Sequence, residues 1–268
     1  AFLSGNGQLA DIYLISFLSK VSKKYKLAKF TLDSVVKNPQ KTLQELNAFD
    51  LAIIAKPTQK FTTEEKFTLD QFIANGGKTL WMIDNVQADQ DSLMATGKML
   101  AYPRDLDLTD LLFSYGIRIN TTLIKDLYAA KIALATGKVG NQTQFQNLDW
   151  FYHPLVSGNP NNAITKNIAP VRLQFANQID TLKNNIKKTP LLMSSPLTQK
   201  IGTPTIIELQ SIADEPLEQE YVSGNQLFAV LLEGNFKSAY KNRIKPFETS
   251  LFKENASNNK MIVISDGD

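Results

Sequence analysis

LAIIAKPTQKFTTEEKFTLDQFIANGGKTLWMI, residues 51–83, decides the fold. It opens with five apolar residues, Leu51–Ala55, without alternation, the pattern of a strand covered on both faces. Thr62 and Glu65 then stand in the T-x-x-E spacing of a capping box, which satisfies two orphan N–H groups at a helix start. Leu69, Phe72 and Ile73 give that helix a buried stripe. Gly76 and Gly77 end it, and Lys78–Ile83 is a second apolar strand. Strand, helix, strand at this spacing is a βαβ unit, so its strands lie parallel.

The rhythm repeats on both sides. Upstream, Ala1–Leu3 is a strand stub and Gln8–Lys24 a helix with Leu14, Phe17, Leu18 and Val21 on one stripe. Lys29–Leu32 is a weaker strand, and Pro39–Leu46 a short helix with Pro at its first turn. Downstream, Asp107–Tyr115 reads as a helix capped by Asp107 and stopped by Gly116, with Ile117–Ile119 and Thr122–Ile124 extended. This order predicts an α/β fold: a doubly wound, mostly parallel sheet with helices on both faces.

The texture changes after Asp126. Residues Tyr128–Lys187 are rich in Asn, Gln, Thr and Pro, with short alternating stretches at Ile132–Ala135 and Val171–Phe175. Pro190–Ser194, Ile206–Leu209, Leu227–Leu232 and Met261–Ile264 read as strands, and Lys237–Arg243 as a short helix. The predicted organisation is an α/β core over 1–126, a β-rich insertion or subdomain over 127–187, and strands returning to the core over 188–268.

Composition narrows the function. The 268 residues are 43% hydrophobic and 21% charged, ordinary for a globular protein with a sizeable core. No apolar run is long enough to span a membrane. The net charge is +3, and the only arginines are Arg104, Arg118, Arg172 and Arg243, without the arginine–aromatic clustering of a nucleic-acid groove. The absence of cysteine excludes a Cys nucleophile, a thiolate zinc site and any disulfide. The chain starts without Met and stops just past the apolar strand in MIVISDGD, so it reads as an excised soluble piece with membrane segments expected outside it.

Several motifs imitate active sites. Gly5, Gly7 and Ala10 match G-x-G-x-x-[GA], and Asp33 stands where a ribose-binding carboxylate would be. Gly77–Thr79 reads GKT like the tail of a phosphate loop, but Phe72 replaces the first glycine and a strand follows instead of a helix. His153 is the only histidine and no G-x-S-x-G elbow accompanies it, so a triad is not expected. Asp84, Asn85, Asp89 and Asp91 lack the spacing of a calcium loop. Topology suggests a better constellation. In a doubly wound sheet the C-terminal strand ends border one crevice. Asn6, Lys56, Asp84 and Asp266 all follow predicted strand ends, and Gly5 and Gly7 flank the first of them. Gly5, Asn6, Gly7, Lys56, Asp84 and Asp266 are therefore the candidate ligand-binding set. No catalytic residue, metal or cofactor is expected.

Longer stretches carry a resemblance. They are FDLAIIAKPTQKFTTEEKFTLDQFIANGGKTLWMID (Phe49–Asp84), DLTDLLFSYGIRINTTLIKD (Asp107–Asp126), WFYHPLV (Trp150–Val156), KNIAPVRLQFANQIDTL (Lys166–Leu182), KKTPLLMSSP (Lys187–Pro196) and LFAVLLEGNFKSAYKNR (Leu227–Arg243), with the closing KMIVISDGD. In this order they resemble the GldG-like family, gliding-motility-associated auxiliary components of ABC-type transport systems in Bacteroidetes. The resemblance implies a class I glutamine-amidotransferase-like, flavodoxin-like fold related to a domain of an intraflagellar-transport subunit. It implies a membrane-anchored protein whose soluble part lies on the periplasmic face of the inner membrane, beside ATPase and permease subunits, with a cell-envelope glycan or protein as a further partner. The expected function is non-catalytic partner or ligand binding. The alternatives are a small-molecule or glycan sensor at the strand-end crevice and, behind it, a dinucleotide-dependent enzyme.

Overall fold

The structure, a computed structural model, describes residues 1–140 and 142–268. The βαβ unit forms as its sequence predicts. Strand β3 (Leu51–Ala55) and strand β4 (Lys78–Met82) pair in parallel, from Leu51 opposite Lys78 to Ala55 opposite Met82. Helix α3 (Thr63–Ala74) joins them. At its start Glu65 N donates to Thr62 Oγ1 (3.2 Å) and Thr62 N to Glu65 Oε2 (2.8 Å), a complete capping box.

Strand β1 (Phe2–Ser4) lies beside β3 and strand β2 (Lys29–Thr31) beside β1, both parallel. Helix α1 (Ile15–Ser22) follows a 3-10 turn at Asp11–Leu14, and helix α2 is Pro39–Leu46. The helix expected from Gln8 thus starts later. Residues 8–10 are irregular because Leu9 N is bonded to Ala55 O (3.0 Å), which ties them to the next strand. Side chains alternate across β3. Ile53 and Ala55 meet Leu14, Phe17 and Leu18 of the first helical segment, while Ala52 and Ile54 join Leu46, Leu69, Phe72, Ile73 and Trp81. Helices therefore cover both faces.

Helix α3 is buried nearly all round, because its outer side is covered too. Phe67 packs against the rings of Tyr240, Phe247 and Phe252, and Asn75 Nδ2 donates to Leu251 O (3.0 Å). Then come strand β5 (Val86–Gln87), helix α4 (Gln90–Thr96), strand β6 (Lys98–Pro103), helix α5 (Thr109–Ser114) and strand β7 (Ile117–Asp126). Asp107 does not cap α5 as predicted. It has a left-handed backbone (φ 56°) and its carboxylate pairs with the buried Lys66 at 3.2 Å, leaving Leu108 at the cap position.

Beyond Asp126 the chain is almost all β: strands β8 (Ala129–Val139), β9 (Gln142–Gly158), β10 (Val171–Arg172), β11 (Asn177–Thr181), β12 (Lys187–Met193), β13 (Thr198–Gly202), β14 (Thr205–Glu208), β15 (Leu227–Lys237) and β16 (Asn255–Ile264). The main sheet runs β10-β9-β12-β15-β16-β4-β3-β1-β2, with β8 paired to β9. Strand β16 joins its two halves, parallel to β4 and antiparallel to β15. Two small sheets, β11-β7-β13 and β14-β6-β5, flank it. The predicted helix at Lys237–Arg243 is absent. Lys237 ends β15, and Ser238 and Ala239 are bound to Asp70 of α3, so only single turns follow. Among the described residues no helix is long and apolar enough to cross a membrane.

Candidate functional site

The five parallel strands β16, β4, β3, β1 and β2 end on one edge, which places the residues after them side by side. Lys56 leaves β3 in a left-handed conformation (φ 47°), a strained position for a residue with a Cβ. Its ammonium lies 3.4 Å from Asp84 Oδ2 and hydrogen-bonds Asp268. Asp84 Oδ1 accepts from Gly267 N (2.7 Å). Asp266 accepts from Asp268 N (2.8 Å) and Gln174 N (2.5 Å). Carboxylate oxygens of Asp84, Asp266 and Asp268 all lie within 4.8 Å of one another. Gly267 packs directly on Lys56: a Cβ there would stand 2.6 Å from the lysine Cβ and 3.0 Å from its Cα. Only glycine lets the segment after β16 close over this lysine.

The electrostatics follow from burial. It pushes the Asp84 carboxyl above its ordinary value; Lys56 opposes that shift and Asp268 adds to it. Asp266 is driven well above the usual range, first by burial and then by the charge of Asp84, so it holds a proton most readily. For Lys56 burial works against the charge, but Asp84 and Asp268 outweigh it and its pKa rises. The three carboxylates have the spacing of cation ligands, and the ammonium already stands among them as counter-charge.

The remaining predicted residues lie apart from this cluster. Asn6 turns away from the other three and donates to Glu65 Oε2 (2.9 Å), locking β1 to the capping box of α3. Its carbonyl accepts from Thr58 N and Gln59 N, both at 3.0 Å. Gly7 (φ 66°) sits against Thr58, whose Oγ1 would be 2.1 Å from an added Cβ. Gly5 (φ 118°) presses on Asp33 in the same way. Their spacing is thus set by close approach to two neighbouring loops. Asn6 N is bonded to Gln8 Oε1 (2.7 Å) and Leu9 N to Ala55 O, so two donors that a pyrophosphate would need are occupied. An open hollow of about 270 Å³ adjoins the turn, walled by Gly5, Gly7, Gln8, Lys29 and Gln59 among others; Lys56, Asp84 and Asp266 are not in its walls.

Sequence reasoning missed Gly267 and Asp268, although the acid–glycine–acid triplet after an apolar strand was visible. It also missed Asp70. This buried carboxylate accepts from Tyr115 Oη (2.7 Å), Ser238 Oγ (2.5 Å), Ala239 N (2.7 Å) and Gln71 Nε2 (3.0 Å). His153 is buried, and neither ring nitrogen has a hydrogen-bond partner among the described residues. Burial, assisted by Arg172, lowers its pKa to about 4.

A family model described as "ABC-type uncharacterized transport system" matches residues 1–268, the whole chain. The chain belongs to this transport-system family. Its members are auxiliary by their family label, which associates the chain with other components of a transport system. No curated protein matches the chain. Among solved structures it is similar to the mmIFT52 N-terminal domain, with a TM-score of 0.52 and 15% identity, over 99% of this chain and 85% of that one. At that identity the likeness concerns the fold, and it extends across both the parallel and antiparallel halves of this family member.

Proposed function

We propose that the chain is the non-catalytic, extracytoplasmic domain of a membrane-anchored ABC-type transport component, of the GldG-like kind that serves gliding motility in Bacteroidetes. It would lie on the periplasmic face of the inner membrane and act by binding, with a permease and an ATPase as partners and a cell-envelope glycan or protein as its outer contact. The observation that carries this reading is the family match over the whole chain. Two further features support it. Lys56 pairs with Asp84 and Asp268, while Asp84 and Asp266 accept from backbone N–H groups, so these polar groups already hold one another in place. The sequence lacks the cysteine that an amidotransferase-like fold uses as nucleophile. Isolation of the tagged full protein from its native membranes in mild detergent tests the proposal. A permease and an ATPase of one transport system are expected to co-purify; isolation without either would overturn it.

A second reading, a small-molecule or glycan sensor, rests on the hollow beside Gly5 and Gly7. Ligand there would raise the melting temperature in proportion to the logarithm of its concentration. A screen of sugars, peptides and nucleotides at millimolar concentration that moves nothing removes this reading.

A further inference from the structure

The face formed by α1 and the chain leading to β2 differs from the rest of the molecule. Residues 12–32 hold five lysines (Lys20, Lys23, Lys24, Lys26 and Lys29) and no carboxylate, in a chain whose 29 basic and 26 acidic residues nearly cancel. All five are exposed. Lys29 pairs with Asp11 at 3.1 Å; among the described residues the other four form no ion pair. The inner side of this segment rests on the sheet through Leu14, Phe17 and Leu18. Its outer side presents Ile12, Tyr13 and Ile15 at 70%, 75% and 60% exposure, with Tyr25 at 66% beside the lysines. Single exposed apolar residues are common, but three within four positions at the head of a lysine run form a patch.

We infer that this face docks on an anionic phospholipid bilayer. Lysines near such a surface are drawn to its negative potential, while aliphatic and tyrosine side chains are favoured at the headgroup boundary. The two properties occur together here in one exposed segment, and the lipid–water interface is the partner that uses both. An acidic protein would engage the lysines alone. The inference does not depend on the transport reading, because it concerns a surface and not the strand-end edge.

Sedimentation of the chain with vesicles tests it. Binding is expected to equimolar phosphatidylglycerol–phosphatidylcholine vesicles and to weaken as salt is added, with little binding to phosphatidylcholine alone. K20A/K23A/K24A should weaken binding on the order of 100-fold, at about fivefold per lysine. I12S/I15S should weaken it as well while leaving the salt dependence in place. All five side chains are exposed, so both variants should keep the parent's melting curve. Failure to bind anionic vesicles, equal binding to neutral ones, or unchanged binding by the triple variant would overturn the inference. Retention on an acidic protein surface with no vesicle binding would overturn it equally.

Discussion

Lys56 and Asp84 form a partly closed ion pair whose two members depend on each other. Removing Lys56 leaves Asp84 buried and uncompensated, which costs about 3–5 kcal/mol in such pairs. Lys56→Met alone should therefore destabilise strongly in urea unfolding, and Lys56→Met with Asp84→Asn should recover part of the loss. Additive losses would mean that the pair is not coupled. Gly267→Ala should cost about 1–3 kcal/mol by overpacking against Lys56. The sequence reading brought Lys56, Asp84 and Asp266 together because parallel strand ends must share an edge. It failed for Asn6, whose partner Glu65 is 59 positions away and owes its place to a helix cap. No local pattern encodes that contact.

At the scale of elements, α3 was legible from its cap and apolar stripe, but its full burial was not. The cover comes from residues 238–253, whose first part reads as a helix in the sequence but is instead held in irregular form by hydrogen bonds to Asp70, Gln71 and Asn75. Asp70→Ala should leave the donors of Tyr115, Ser238 and Ala239 unsatisfied and cost about 3 kcal/mol or more. Its signature is early exposure of Tyr115 and loosening of 238–253 in hydrogen exchange. Strand β9 carries a second prediction. His153 is held neutral, with its folded pKa lowered to about 4 from 6.5. The unfolded chain therefore binds the proton more readily, and the contribution to stability is full above pH 6.5 and lost as pH falls towards 4. The loss amounts to about 3 kcal/mol. His153→Phe should flatten the stability profile in that window, and an unchanged slope would assign the acid sensitivity elsewhere.

At the scale of the whole molecule, the parallel half was readable because each βαβ unit dictates its own neighbours. The antiparallel half was readable only as strands that return to the core, not in its pairing. Strands β9, β12, β15 and β16 are adjacent in the sheet yet separated in the chain by loops and other strands, and only tertiary packing selects their partners. The resulting molecule joins a parallel edge, closed by the segment after β16, to an extended antiparallel wing. We propose that such a body serves a transport system whose ATP is hydrolysed by another subunit. The most direct test measures ATP turnover by the purified chain alone and by the assembly isolated with it from native membranes. The prediction is no turnover by the chain and turnover by the assembly that is lost when the phosphate-loop lysine of the co-purified ATPase is replaced. Hydrolysis by the chain alone, or a protein that isolates with no ATPase, would contradict it.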